Sequence, residues 1–195
     1  MSEVISLLKQ SGAIVEGHFV LSSGRHGDRF FQCAKLLTHP DRTATALSGI
    51  AEQLCADMKA GKLQIDAVVG PAMGGIIVAY ELGRQLGIPA FFTERDESGT
   101  MYLRREFELK PGQNILISED VVTTAKSSWE CARALGAMGG MVVALACILD
   151  RRAEGVDVPW PFYPASRVEA ASWNPEDCEL CKKGIPVVKP GAKKF

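Results

Sequence analysis

Apolar positions along the chain follow two periods, and their alternation predicts the elements. Ser2 to Lys9 carries Val4, Leu7 and Leu8 on one helical face, with Ser2 as its N-cap and Gly12 ending it. His18 to Leu21 and Arg29 to Cys33 are short strand-like pieces around the polar turn Ser22-Ser23-Gly24-Arg25-His26-Gly27-Asp28. Asp41 to Met58 places Leu47, Ile50, Ala51, Leu54, Cys55 and Met58 at helical spacing, which makes that stripe core. From there strand and helix patterns alternate. Strands are predicted at Ile65–Gly70, Ala90–Thr93, Ile115–Ile117 and Met141–Leu149, with helices over Ile76–Leu86 and Trp129–Leu135. The short strands are continuously apolar, as strands buried on both faces are. This alternation predicts an α/β fold with a central, mainly parallel sheet flanked by helices. Beyond Val156 the prolines predict one or two short edge strands and an irregular tail.

Composition narrows the function classes. A chain of 195 residues with 47% hydrophobic and 23% charged positions fits a single soluble domain with a sizeable core. A formal net charge of −1 gives no global basic field for nucleic acid, although local anion sites depend on placement and stay open. The longest apolar run, Met141 to Leu149, is too short for a bilayer. Met1 to Gly12 carries Glu3 and Lys9 and lacks a continuous apolar segment, so the expected location is cytoplasmic. Of six cysteines, four lie in apolar or helical patterns and are expected to be small buried residues. Cys178 and Cys181 form one CxxC, half a zinc site, for which a packed tail turn is expected.

The candidate chemistry centres on Ile115 to Ser128, ILISEDVVTTAKSS. A buried strand is followed by two carboxylates, Glu119 and Asp120, then by a small-residue loop and a helix start. Free N–H groups at a helix start attract phosphate, and carboxylates accept hydrogen bonds from sugar hydroxyls. A phosphorylated sugar needs both. Pro71-Ala72-Met73-Gly74-Gly75 is a second small-residue loop after a strand, and by itself a tight turn explains it equally well. Glu94 to Lys110 is a polar excursion between two strands that carries Arg95, Arg104 and Arg105, either a lid or an exposed hairpin. Asp150-Arg151-Arg152 follows a buried strand, at the end where open α/β sheets bind ligands.

Five stretches together resemble an orotate phosphoribosyltransferase of the type I phosphoribosyltransferase fold: GHFVLSSGRHGDRFFQCAK (17–35), DAVVGPAMGGI (66–76), EDVVTTAKSS (119–128), LDR (149–151) and PEDCELCKKGIPVVKPG (175–191). The likeness runs close to full length. It implies one domain over 1–195, with 60–155 as the core and 1–40 plus the C-terminal tail forming a hood, and a lid loop. It further implies transfer of the phosphoribosyl group from phosphoribosyl pyrophosphate to N1 of orotate, in pyrimidine (UMP) biosynthesis, with Mg²⁺ carried on the pyrophosphate and no direct protein ligand to it. Glu119 and Asp120 would hold the ribose hydroxyls. Val121, Val122, Thr123, Thr124, Ala125, Lys126 and Ser127 would border the phosphoribosyl group, with Thr123 to Ser127 around the 5-phosphate. Thr123 and Arg151 match orotate-contacting positions, and Arg95 or Arg104 would act from the lid. Arg25 and His26 match basic residues near donor or acceptor. The resemblance also implies a homodimer with shared active sites and no nucleic-acid or membrane partner.

The implied chemistry accounts for these residue types. Substitution at the anomeric carbon passes through a cation-like transition state with a good leaving group, so orientation, charge stabilisation and exclusion of water suffice. The Arg151 guanidinium suits a planar carboxylate such as that of orotate. Purine-type relatives often have an acidic residue at position 123, and Thr123 disfavours that alternative. A second alternative, a non-catalytic sensor of phosphoribosyl pyrophosphate, is disfavoured by the N-terminal hood segment. Close relatives read TTGGS where this chain has Thr123-Thr124-Ala125-Lys126-Ser127. If position 125 needs a positive φ, its Cβ costs about 1 kcal/mol. Gly74 also stands where some orotate enzymes carry a lysine.

Overall fold

The computed structural model describes residues 3–21 and 23–189, so the expected cap Ser2 lies outside the described residues. Helix α1 (Glu3–Gln10) leads through Gly12 (φ 65°) into β1 (Ile14–Val20), which pairs antiparallel with β2 (His26–Phe31). The short α2 (Ala34–Leu37) and the long α3 (Pro40–Lys59) follow, the latter opening on a proline at its first position. Its stripe of Leu47, Ile50, Ala51 and Leu54 is buried, as its spacing predicts.

The core then alternates strand and helix: β3 (Ala67–Pro71), α4 (Gly74–Leu86), β4 (Ala90–Arg95), β5 (Met101–Leu103), β6 (Asn114–Val122), α5 (Lys126–Ala137) and β7 (Met141–Asp150). β8 (Phe162–Arg167) closes one edge of a six-stranded sheet ordered β5-β4-β3-β6-β7-β8. Only the β4–β5 pairing within it is antiparallel. Its inner strands are dry: Val68, Val69, Ile115, Leu116, Ile117, Leu145 and Ile148 have no exposed surface. One apolar cluster, with α3 and α4, fills one face, and a second, with α5, fills the other. No described helix is long and apolar enough to cross a membrane.

The predicted excursion Glu94 to Lys110 begins as a hairpin, because β4 continues to Arg95 and β5 folds back on it. Its turn is pinned by Asp96, which accepts from Ser98 Oγ and the Thr100 N–H, with Gly99 at φ 82°. The C-terminal part divides between two sheets. β9 (Ser172–Trp173) leaves the main sheet and joins β2, so the hood is a separate sheet ordered β1-β2-β9. Beyond it lie a 3₁₀ turn (Pro175–Asp177) and the one-turn α6 (Glu179–Lys182).

Candidate active site

The ends of β6 and β7 build the site. These strands run parallel with Val122 opposite Asp150, and the Arg151 N–H donates to Val122 O at 2.8 Å. Thr123 and Arg151, widely separated in sequence, therefore leave the sheet side by side. After Thr123 the chain turns at Ala125, whose φ of 56° and ψ of 14° are left-handed. The expected conformational demand at that position is present, and the Cβ that carries the strain is buried. No side chain caps α5, so its first-turn N–H donors are left to another partner. A cavity of about 460 Å³ opens there, lined by Val121 through Ser127 with Arg95, Gly99 and Glu130. An anion fits such a helix start.

Glu119 and Asp120 point to opposite faces of β6. Glu119 is buried beneath the loop, accepting from Ser127 Oγ at 2.5 Å and Ser128 Oγ at 3.4 Å. Burial pushes its carboxyl up to about 7, against the lowering effect of the Ser127 hydrogen bond. Asp120 is also raised by burial, although its Oδ1 accepts the Val121 N–H at 3.0 Å. It lies against the second small-residue loop: a Cβ on Gly74 would stand 2.4 Å from the Asp120 Cγ. The lysine that some relatives place at 74 therefore has no room here. Gly70 and Gly75 bring β3 and α4 together still more closely, since a Cβ on Gly70 would lie 1.9 Å from Gly75 O.

A second cavity, of about 620 Å³, separates hood from core and is bordered by Arg29, Arg151, Arg152, Arg167 and Ser172 among others. Three of its guanidiniums are engaged, Arg29 with the Glu169 carbonyl oxygen at 3.4 Å and with Asp28 Oδ2 at 3.6 Å. Arg152 forks onto the buried Asp150 at 3.0 and 3.2 Å, and Arg167 approaches the same carboxylate at 3.9 Å. Arg151 instead stacks on the Phe31 ring at 3.9 Å, with its Nε buried and lacking a hydrogen-bond partner. Burial lowers its affinity for the proton from the usual guanidinium value. Asp28 Oδ1, on the hood strand β2, is likewise buried and unpartnered. Orphaned buried polar atoms of this kind are rare and are satisfied by ligand or water.

The other predicted residues divide. Arg95 lines the phosphate cavity and is bound to Glu130, so it is held at the cradle's rim. Arg104 lies over the Tyr102 ring at 5.4 Å in the hairpin and is not among the residues bordering either cavity. Arg105 pairs with Glu94 at 3.3 Å. Arg25 is engaged within the hood: its guanidinium donates to Ser172 O at 2.8 Å and Asn174 Oδ1 at 2.6 Å, tying β9 to the hood turn at the border of the second cavity. His26 is buried beside His18, the imidazoles 3.0 Å apart. Sequence reasoning missed Arg29, Phe31 and Asp28 as parts of the site. Asp28 stood in the predicted polar turn and Arg29 and Phe31 in the predicted strand, and neither setting tells which face meets the core.

Comparison with known proteins agrees with this geometry. The phosphoribosyl transferase domain family matches residues 35–179. An orotate phosphoribosyltransferase from Heliobacterium modesticaldum is 47% identical over 191 residues, 98% of this chain and 97% of its own. Among solved structures, orotate phosphoribosyltransferase from Aeropyrum pernix superposes with a TM-score of 0.71 at 24% identity, over 85% of this chain and 93% of that one. The Mycobacterium tuberculosis H37Rv orotate phosphoribosyltransferase in complex with inorganic phosphate gives a TM-score of 0.65 at 25% identity, over 85% and 94%. A strand end bearing two carboxylates, an uncapped helix start beyond it and near-full-length likeness to such enzymes lead to one conclusion: the chain belongs to the phosphoribosyl transferase family, among its orotate-type members.

Proposed function

We propose that the protein transfers the phosphoribosyl group of phosphoribosyl pyrophosphate to N1 of orotate, giving orotidine 5-monophosphate and pyrophosphate for pyrimidine biosynthesis. One observation carries the choice of acceptor: Arg151, stacked on Phe31 with a buried unpaired Nε, sits beside Thr123 at the mouth of the phosphate cradle. A planar carboxylate is the complement of that fork. Thr123 offers no acidic group to manage a proton on a purine ring, whereas an acceptor already anionic at its nitrogen needs none.

In this reading the α5 start and Thr123 to Ser127 hold the 5-phosphate, with Val121 and Val122 below. Glu119 and Asp120 accept the ribose hydroxyls and stabilise positive charge developing at the anomeric carbon. The acceptor nitrogen forms its bond to that carbon as the bond to the pyrophosphate oxygen breaks. Arg151 fixes the acceptor's direction of approach, which is where most of the rate is expected to come from. Arg95 stands at the cradle, and Arg104 would reach the leaving group only by movement of the hairpin. Mg²⁺ suits this arrangement because it keeps several waters and takes its anionic oxygens from the substrate's phosphates, with the free Asp120 carboxylate oxygen placed to accept from the ribose or from a metal-bound water. Bound with the pyrophosphate, Mg²⁺ would supply neutralisation of the leaving group.

Two further parts of the reading have support in the surface and the thiols. Met73, Ile77 and Tyr80 are 80%, 44% and 69% exposed along one side of α4, suiting burial in a homodimer close to the Gly74 loop. All six cysteines are free, which suits a reducing cytoplasm.

The test is consumption of orotate by the purified protein with phosphoribosyl pyrophosphate and Mg²⁺, followed by loss of orotate absorbance. Asp120→Asn and Arg151→Ala should each lower kcat/KM about 100-fold or more without changing the melting temperature. Turnover with a purine but not with orotate overturns the acceptor assignment.

A further inference from the structure

Four side chains that the proposed reaction does not use converge under the hood. His18 comes from β1, beside the register shift between Glu16 and Phe19, and His26 comes from β2. Cys178 and Cys181 come from the start and body of α6, 160 residues from His18 in the case of Cys178. One ligand-type atom from each lies within 4.8 Å of every other. Cys178 Sγ is 3.3 Å and Cys181 Sγ 3.8 Å from His18 Nε2, Cys181 Sγ is 3.3 Å from His26 Nδ1, and the two ring nitrogens are 3.0 Å apart. A tetrahedral zinc with Zn–N near 2.0–2.1 Å and Zn–S near 2.3 Å needs edges of roughly 3.3 Å between nitrogens and roughly 3.6 Å between nitrogen and sulfur. These four edges lie within about 0.3 Å of those values, so a shift of a few tenths of an ångström in each side chain closes them on one ion.

The surrounding hydrogen bonds fix the same point. His18 Nδ1 lies 2.7 Å from Ile185 O. That carbonyl can only accept, so Nδ1 carries the proton and Nε2 presents its lone pair inward, as in histidines oriented for a metal. The lone pair faces the other nitrogen and both sulfurs, and electron-rich atoms gathered around one point are complementary to a cation there.

The tail itself requires a clamp. From Asn174 to Lys189, Cys178 is the only buried residue, and Ile185, Val187 and Val188 are 43%, 44% and 55% exposed. Yet the segment returns to the hood, with the Val188 N–H donating to His18 O at 2.8 Å and the Val20 N–H to Val188 O at 2.9 Å. A segment with almost no apolar burial folds back in this way when a metal or disulfide holds it, and both thiols are free.

The geometry points to a structural zinc site, Cys178–Cys181–His18–His26, that fastens the C-terminal tail to the hood. The N₂S₂ set with no position left for water is that of a structural zinc and not of a catalytic one. On binding, Cys178 and Cys181 lose their protons to solvent and coordinate as thiolates, and both imidazoles bind neutral. This ion is independent of the Mg²⁺ carried by the pyrophosphate.

Full-length protein reconstituted with zinc, then dialysed free of excess, should retain about one zinc per chain by mass spectrometry of the metal. Cobalt(II) in its place should give the strong visible bands of a tetrahedral site and a thiolate-to-cobalt charge-transfer band. The double variant Cys178→Ser, Cys181→Ser should lose both signals. The wild-type cobalt spectrum decides the matter even where the double variant does not fold. Zinc well below one per chain, a weak octahedral cobalt spectrum, or full zinc retention by the double variant overturns the site.

Discussion

Glu119→Gln is the most direct probe of the electrostatics under the phosphate loop. The Glu119 carboxyl is 5% exposed and pushed up to about 7 from its ordinary 4.5, chiefly by burial. Both folded and unfolded chains are protonated there below pH 4.5, so stability is then fully present. Between 4.5 and 7 the unfolded chain gives up this proton while the folded chain keeps it, and stability falls with rising pH. The loss is complete above about 7 and amounts to about 3 kcal/mol for a difference of this size. Carboxylates held below their ordinary values, such as Asp57, Glu81 and Glu130, act in the opposite sense and below pH 4.5, outside this window. Asp120 is raised in the same direction as Glu119, but it is common to both proteins and cancels in their comparison. Glutamine keeps the oxygen that Ser127 donates to and cannot ionise. Urea unfolding followed by tryptophan fluorescence at pH 5 and pH 8 should show wild type losing about 2.5 kcal/mol more than Glu119→Gln, since part of the effect already lies below pH 5. Ionised Glu119 is also the stronger acceptor for ribose hydroxyls, so kcat/KM for the donor should rise through pH 7 in wild type and not in the variant. Equal pH dependence of stability in the two proteins would refute the buried, proton-bearing Glu119.

Two glycines that look alike in sequence should behave differently. Gly74→Ala drives Asp120 from its rotamer, at about 1 kcal/mol in stability, and should lower kcat/KM at least about 10-fold. Gly70→Ala meets the Gly75 backbone oxygen and should cost about 3 kcal/mol or more in a thermal melt. A fully active Gly74→Ala protein would disprove the link to Asp120. For the dimer, Tyr80→Glu places a charge in the exposed α4 face, and sedimentation should show a dimeric wild type and a monomeric variant. A monomeric wild type removes the shared-site reading.

What could be seen in the sequence was local. The apolar runs at Ile115–Ile117 and Met141–Leu149 lie in β6 and β7, because strands buried on both faces leave a signal within each segment. The observed elements extend further, since β6 continues through Glu119 and Asp120, whose charges mask the strand period. α4 starts at Gly74, before the predicted Ile76, because two glycines without side chains let helix and strand touch. The demand at Ala125 was legible through the resemblance, because similar enzymes carry glycine there, the residue that adopts a left-handed backbone without strain. The surroundings of the tail thiols were not legible for the converse reason. Cys178 and Cys181 looked like half a metal site, and the missing half, His18 and His26, lies in the first hairpin. Nothing in the spacing of either pair selects the other. The partners of Arg25 were hidden for the same reason: Ser172 and Asn174 are supplied by the far end of the chain.

That long-range pairing bears on catalysis through one strand. β2 carries His26 at one end and Phe31 at the other, with Asp28 and Arg29 between them. Phe31 supports the Arg151 guanidinium, Asp28 and Arg151 hold the two buried orphan side-chain atoms among the described residues, and Arg29 borders the same cavity. The hood sheet shares no strand pairing with the six-stranded sheet. The strand's position over Arg151 is therefore set by packing at its Phe31 end and by whatever holds its His26 end. A metal at His26 fixes the second of these without adding apolar surface to a cavity that must admit a charged acceptor. Packing the tail with larger hydrophobic side chains could hold β2 as well, but it would narrow the polar mouth between hood and core. An ion bound on the far side of the hood separates the two requirements, leaving Arg151 open to the acceptor.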